Sequence, residues 1–175
     1  MLEKKKYFLQ SEILNRYSKE IQYSVLFLTL LLVPLLIGKP QYLVGIVVNT
    51  VLIYSTLKFG FKNTIPFLIL PSSMSYLRGL LFGSLTIYLI YLIPFIILSN
   101  GIYSFTVSKF KNKIVGILLG AILKAGFLYL ITNILVSTIS LPNIFLTTMG
   151  INQLITALIG GVIGYMIYSK KPFLF

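Results

Sequence analysis

The sequence predicts an all-α, polytopic membrane protein: a bundle of six transmembrane helices with both termini in the cytoplasm. Its 175 residues are 57% hydrophobic, with a mean hydropathy of +0.95, which excludes an ordinary soluble domain. This length accommodates about six spans of about 20 residues joined by short loops. The basic residues fall between the apolar runs, and their alternation indicates the orientation.

The first twenty residues are mixed and charged, and they predict a cytoplasmic or interfacial amphipathic segment at 1–20. A six-helix membrane domain at 21–168 and a cytoplasmic tail at 169–175 follow. Prolines inside the third and fourth spans bend those helices, and the sequence does not define their exact ends. The turn between them is therefore placed only within 77–85. The predicted spans are 21–37, 41–57, a third starting near Thr64, a fourth ending near Asn100, 114–138 and 149–168.

The distribution of positive charge supports this topology. Twelve of the fifteen basic residues fall in segments that the topology places inside, and only Lys39 and Arg78 fall outside. Lys124 remains, inside the fifth span. The sequence therefore predicts a multi-pass protein of the cell membrane with both termini inside. Because the net charge of +12 is explained by the membrane, nucleic acid is not expected as a partner.

Several residue types that carry chemistry are missing. The chain has no Cys, His or Asp, and its three acids are Glu3, Glu12 and Glu20. Disulfides, metal sites and acid–base catalysis by His or paired carboxylates are excluded within the spans. Proton relays through intramembrane carboxylates are excluded too. We therefore expect no enzyme activity, no metal and no cofactor.

Residues 69–83 combine a helix breaker, Pro71, with three serines, Arg78 and two glycines. Irregular backbone at membrane depth is tolerated only where it is buried in protein or lines a wet cavity. One interpretation is that this stretch borders a small-molecule site, with Ser72 at its rim. The alternative is a short outer turn that leaves Arg78 at the lipid headgroups.

Lys124 lies about ten residues into the fifth span, roughly 15 Å from its cytoplasmic end. No carboxylate in the spans can pair with it, so its partner is a carbonyl, an amide, a hydroxyl, water or a bound anion. Either it bonds to the ends of broken helices or it belongs to a ligand site. Other polar residues converge on the outer half of the bundle. The predicted ligand-binding set is Asn49, Ser72, Arg78, Lys124, Asn133 and Gln153, around one outward-facing cavity suited to an anionic or carbonyl-rich ligand.

Small residues repeat every four positions in the last two spans. Such faces allow close approach of helix backbones, either within one bundle or against a partner membrane protein. The pairs are Gly116/Gly120, Ala121/Ala125, Ala157/Gly161 and Gly160/Gly164.

The chain resembles the substrate-binding membrane subunits, or S components, of energy-coupling factor vitamin transporters, and looks closest to an uncharacterised branch. It does so in length, span count and order of landmarks over roughly 20–168. The landmarks are GIVVNTVLIY at 45–54, ILPSSMSYLRGLLFG at 69–83, YLIPFIILSNGIY at 91–103, GAILKAGFLYL at 120–130 and LPNIFLTTMGINQLITALIGGVIGY at 141–165.

The resemblance implies a subunit that captures a vitamin or related micronutrient from outside and works with a coupling membrane subunit and two ATPases. The sequence departs from the family in its first span, which has no alanine where an Ala-xxx-Ala docking face is often found. The alternative is a small membrane-anchor or assembly subunit of a larger complex. The chain lacks a P-loop, so transport by this subunit alone is not expected.

Overall fold

A computed structural model describes residues 2–37, 40–79 and 83–170, and these residues form helices and short connections with no strand. A 3-10 helix, Gly83–Tyr88, leads into the fourth α-helix. The α-helices are α1 (Leu2–Leu36), α2 (Gln41–Phe59), α3 (Phe61–Arg78), α4 (Leu89–Lys109), α5 (Lys113–Ile139), α6 (Ile144–Met149) and α7 (Ile151–Ser169).

Five helical segments are long and apolar enough to cross a membrane. They are Arg16–Leu36, Gln41–Phe59, Leu85–Lys109, Lys113–Ile139 and Ile144–Ser169. The helix α3 is not among them: it has 18 residues, carries Lys62 and Arg78, and contains two prolines. The described residues thus give an all-helical fold with five to six helices suited to a membrane. The span count of six and the orientation of the termini stay predictions.

Several helix limits differ from those predicted. The boundary predicted between 1–20 and the first span falls inside α1, which runs without a break and contains Pro34. Residues 38 and 39 of the predicted first turn, and all of the predicted tail beyond Lys170, lie outside the described residues. The third helix begins at Phe61, directly after Gly60, whose φ of +86° suits glycine.

The predicted end of the fourth span near Asn100 is wrong, because α4 continues to Lys109. Asn100 turns its side chain into the bundle, and apolar residues continue the helix beyond it. The predicted sixth span, 149–168, corresponds to α7, and the short helix α6 precedes it across a break in the backbone at Gly150. The turn that was predicted around Pro142 is present, with Ser140 in the left-handed conformation.

The glycines of α7 bring it against α2. A Cβ added at Gly160 would lie 2.6 Å from the carbonyl oxygen of Ile46, and one at Gly164 would lie 2.6 Å from that of Thr50. Both clashes are with backbone, which cannot move aside without displacing a helix. The spacing of these glycines therefore serves the contact between α2 and α7.

The glycines of α5 serve the contact with α4 in the same way. A Cβ at Gly120 would lie 2.8 Å from the ring of Tyr103, and one at Gly116 would lie 3.2 Å from the Cα of Val107. Ala121, Ala125, Ala157 and Gly161 are buried as well. The small-residue faces thus pack within the bundle, which agrees with the first of the two alternatives.

Candidate functional site

One cavity in the described part of the chain opens between α2, α3, α4, α5 and α7, with Met149 of α6 at its edge. It lies in the half of the bundle where α2 and α7 begin and α3 ends. Ten of its seventeen lining residues are polar. Its volume is about 80 Å³, on the scale where one water needs roughly 10–15 Å³. The cavity therefore has room for several waters or a small solute.

Lys124 is the one charged residue among those that line this cavity. It is only 2% exposed, because it shares the buried face of α5 with Gly120 and Leu128, one turn away on either side. Its Nζ donates a hydrogen bond to Asn49 Oδ1 at 2.7 Å and lies 5.6 Å from the centre of the Tyr103 ring. Among the residues that the structure describes, this ammonium group therefore meets an amide and an aromatic face, but no carboxylate.

Asn49 connects Lys124 to the contact between α2 and α7. Its Nδ2 donates to the carbonyl oxygen of Gly45 at 2.8 Å and to Thr156 Oγ1 at 3.4 Å. Thr156 in turn donates to the carbonyl oxygen of Asn152 at 2.9 Å. With its amide nitrogen held in this way, Asn49 points its oxygen at Lys124.

At the start of α2 and α7, a side-chain hydrogen bond joins the two helices. The Tyr42 hydroxyl donates to Asn152 Oδ1 at 2.7 Å. Gln41 and Gln153 line the cavity beside this pair. Tyr42 is largely exposed, so the bond lies where the cavity approaches the surface of the bundle.

The opposite wall, from α3 and α4, carries polar groups without partners. Asn100 is 2% exposed and Ser75 is 6% exposed, and neither side chain makes a hydrogen bond to the residues that the structure describes. Ser72 Oγ makes only a long bond, 3.4 Å, to the carbonyl oxygen of Ile69. The polar atoms of Asn100 and Ser75 are not fully enclosed, so a molecule in the cavity can reach them. Water or a ligand in the cavity is therefore the natural partner of this wall.

Four of the six predicted ligand-binding residues line the cavity: Asn49, Ser72, Lys124 and Gln153. The structure thus brings together residues from α2, α3, α5 and α7 that are far apart in sequence.

The expectation that Asn133 shares this cavity is wrong. Asn133 is exposed and lies nine residues after Lys124, about two and a half helical turns, which places it on the opposite side of α5. Its neighbour Thr132 occupies the buried face instead.

The expectation for Arg78 is also wrong. Arg78 ends α3 and donates through Nη1 to the carbonyl oxygen of Leu35, in the last turn of α1. The last carbonyls of a helix have no partner within it, so this bond satisfies one of them and ties α1 to α3. Arg78 lies away from the cavity lining.

Sequence reasoning missed six polar residues of the lining as site residues. Ser75 could have been predicted from the sequence, because Pro71, Ser72 and Ser75 lie at helical spacing on one face of α3. Asn100 was not, because its pairing with Gly101 resembled the end of a helix. The others are Gln41, Tyr42, Thr156 and Asn152, the last of which is a polar candidate by sequence that the predicted set did not include.

The donor set of the cavity consists of one ammonium group, four amides besides that of Asn49, and hydroxyl groups. The chain has no His, Cys or Asp, and its glutamates lie within the first twenty residues. This chemistry suits the binding of a solute through hydrogen bonds and charge, and it lacks metal ligands of the usual kinds.

The fold and the site together define an all-helical protein, with several helices apolar enough for a membrane and a polar cavity between them. No family model, curated protein or solved structure matches the chain significantly. The resemblance to the S components therefore rests on the sequence landmarks alone.

Proposed function

We propose that this protein is the substrate-capture subunit, or S component, of an ATP-driven importer of the energy-coupling factor type. It would bind a small micronutrient from outside the cell. The observation that carries this proposal is the cavity around Lys124, which combines one cation with Asn100 and Ser75, whose side chains have no partner in the described chain. Convergence of polar groups on one cavity is typical of small-molecule sites.

The position of the cavity supports capture from outside. It is lined by the first residues of α2, Gln41 and Tyr42, and by Asn152 and Gln153 near the start of α7. With the N-terminus in the cytoplasm, as the charge distribution predicts, the beginnings of α2 and α7 lie at the outer surface. The cavity would then be open to the outside and closed toward the cytoplasm by the packed half of the bundle.

The chemistry of the site supports binding without conversion of the solute. Its polar groups donate and accept hydrogen bonds, and no nucleophile paired with a general base is among them. The chain also carries no P-loop, and its carboxylates all lie within the first twenty residues, so an energy source would have to come from partner subunits. A coupling membrane subunit and two ATPases would supply it.

The partner subunit would have to bind the outer faces of the helices. The small-residue faces of α5 and α7 are occupied by α4 and α2, so they are not free for docking. Replacing their glycines would disturb the bundle itself.

The proposal is tested by uptake into proteoliposomes. Full-length tagged protein is purified from its native membranes in a mild detergent, and the resulting complex is reconstituted with or without ATP. We expect two ATPase chains and a coupling subunit to copurify, and uptake to require ATP. The chain reconstituted alone should bind solute without concentrating it.

Two results would contradict the proposal. One is concentrative uptake by the chain alone, which would make it a transporter in its own right. The other is copurification with a different kind of membrane complex and no ATPase, which would favour a membrane-anchor or assembly subunit.

A further inference from the structure

The residues that line the cavity carry a single charge, which is positive. Lys124 contributes one positive charge, and none of the other lining residues carries a charge. The acids of the chain, Glu3, Glu12 and Glu20, lie within its first twenty residues, and none is among the residues that line the cavity. An ammonium group buried without a counter-charge is costly, so an anionic group beside Lys124 would favour its protonated form.

The ammonium group also has unused hydrogen-bonding capacity. It carries three N–H donors. One donates to Asn49 Oδ1, and the ring of Tyr103 lies at 5.6 Å on another side. No other hydrogen bond of Nζ is formed with the residues that the structure describes. A donor therefore remains for a group in the cavity, and a charge-assisted bond to an anionic oxygen is the strongest that it can make.

Neutral donors lie on the adjoining wall. Asn100 is three residues before Tyr103, so both lie on the same face of α4, and it is the Tyr103 ring that approaches Lys124. The amide of Asn100 and the hydroxyl of Ser75 face the cavity without partners in the described chain. They are placed to bind the polar groups of a molecule whose anionic end meets Lys124.

The balance of charge and the volume limit the ligand further. One cation neutralises one negative charge, and a dianion would leave a second charge unpaired among amides, hydroxyls and apolar side chains. The cavity of about 80 Å³ is small. We propose that the ligand is a small organic monocarboxylate, with its carboxylate on Lys124 Nζ and its other polar groups on Asn100 and Ser75.

Entry of this ligand from outside rests on the proposed function, but its binding does not. A singly charged oxygen anion has one other plausible source, the phosphodiester of a lipid headgroup. The polar lining near the far end of α3 and the small volume favour a free solute over a diacyl lipid. The experiment below separates the two.

Binding is measured by thermal unfolding of the purified full-length protein in detergent. The probes are acetate, butyrate, lactate and benzoate, each paired with its primary amide, together with succinate and phosphatidylglycerol. We expect at least one monocarboxylate to raise the unfolding temperature in a saturable way, while its amide and succinate do not. This comparison uses the wild-type protein and depends on no variant.

The role of Lys124 is tested with Lys124→Met, and Lys111→Met provides the same chemical change at an exposed position. Loss of a charge-assisted hydrogen bond should weaken carboxylate binding about 10- to 100-fold in Lys124→Met. Lys111→Met should bind like the wild type. If Lys124→Met does not fold, Asn100→Ala is used, with weaker binding of the same acid expected.

Four results would overturn the inference. The acids and their amides could raise the unfolding temperature equally, succinate could raise it more than the monocarboxylates do, or phosphatidylglycerol could raise it while the monocarboxylates do not. The fourth is unchanged carboxylate binding in a folded Lys124→Met. Failure of the proposed function looks different. A protein that prefers monocarboxylates but shows no ATP-dependent uptake keeps this inference and loses the transport proposal. ATP-dependent uptake of a neutral solute would keep the transport proposal and overturn this inference.

Discussion

Lys124 organises its surroundings through the amide of Asn49. The amide oxygen accepts from the ammonium group at 2.7 Å, while the amide nitrogen is anchored on Gly45 and Thr156. A single pair thereby fixes α2 and α5 relative to α7. Because Asn49 is neutral, the pair keeps its positive charge available to a ligand, which a carboxylate in the same place would cancel.

Asn49→Leu should destabilise the protein, since it leaves the buried ammonium group of Lys124 without its hydrogen-bond partner. We expect a loss of about 1–3 kcal/mol or more in the free energy of unfolding, measured by denaturant titration in detergent micelles. The double variant Asn49→Leu/Lys124→Met should recover much of this loss, because both polar partners are then replaced.

The matched control for this prediction is Asn133→Leu. It makes the same chemical change on the exposed side of α5 and should alter stability by less than about 0.5 kcal/mol. Equal stabilities of Asn49→Leu and Asn133→Leu would show that the bond to Lys124 contributes nothing.

At this scale, the sequence predicted the centre of the site and missed part of its wall. Lys124 was identifiable because a lysine inside an apolar span has to face the bundle interior or a water-filled cavity. Asn133 was wrongly included because its depth was considered without its angle around α5. Asn100 was missed because an Asn–Gly pair is typical of helix ends. In the structure, Asn100 lies within α4 and its amide faces the cavity.

At the scale of the elements, the glycines of α5 and α7 set the spacing of the helices around the cavity. The face of α7 with Gly160 and Gly164 meets the backbone of α2, and Gly161 leaves room for the hydroxyl of Tyr103. That hydroxyl donates to the carbonyl oxygen of Ala157 at 2.6 Å. Tyr103 thus occupies the place between α4, α5 and α7 beneath Lys124.

Gly161→Ala should be strongly unfavourable. Its Cβ would collide with the Tyr103 hydroxyl and would lie 2.8 Å from Ile117 Cγ2, so the ring beneath Lys124 would have to move. Overpacking of this kind costs about 1–3 kcal/mol, and it should appear as a lower unfolding temperature.

Gly126→Ala is the control, because nothing lies within 4 Å of a Cβ at this position on α5. There, alanine should leave the protein unchanged or stabilise it by about 0.5–1 kcal/mol through its higher helix propensity. The prediction fails if the two variants unfold at the same temperature.

Apolar runs and turn residues in the sequence predicted where the helices lie, but they did not predict every helix end. The turn at Pro142 and the start of α2 after Pro40 agree with the sequence signals. The extension of α4 beyond Asn100 and the short helix α6 before the break at Gly150 were not predicted. The small-residue spacing predicted close packing, while its partners could be found only from the structure.

At the scale of the whole molecule, the fold places the cavity around Lys124 at the end of the bundle where α2 and α7 begin. The predicted orientation turns this end outward, because twelve basic residues lie in segments assigned to the inside. Orientation therefore decides whether the cavity receives solutes from the medium or from the cytoplasm.

The chain has no cysteine, so single cysteines report the orientation directly. Ser140→Cys and Lys111→Cys lie at exposed positions at opposite ends of α5. A membrane-impermeant thiol reagent added to intact cells should label Ser140→Cys at once and Lys111→Cys only after permeabilisation. The reverse pattern would place the cavity on the cytoplasmic side and remove the basis for capture from outside.

The central claim is that the cavity around Lys124 holds a small solute. Native mass spectrometry of the full-length protein, purified from its native membranes, tests this most directly. We predict that the wild-type protein and Lys111→Met each carry one small molecule, released on activation, and that folded Lys124→Met carries none. A wild-type protein without any bound small molecule, or one whose occupancy is the same in Lys124→Met, would contradict the claim.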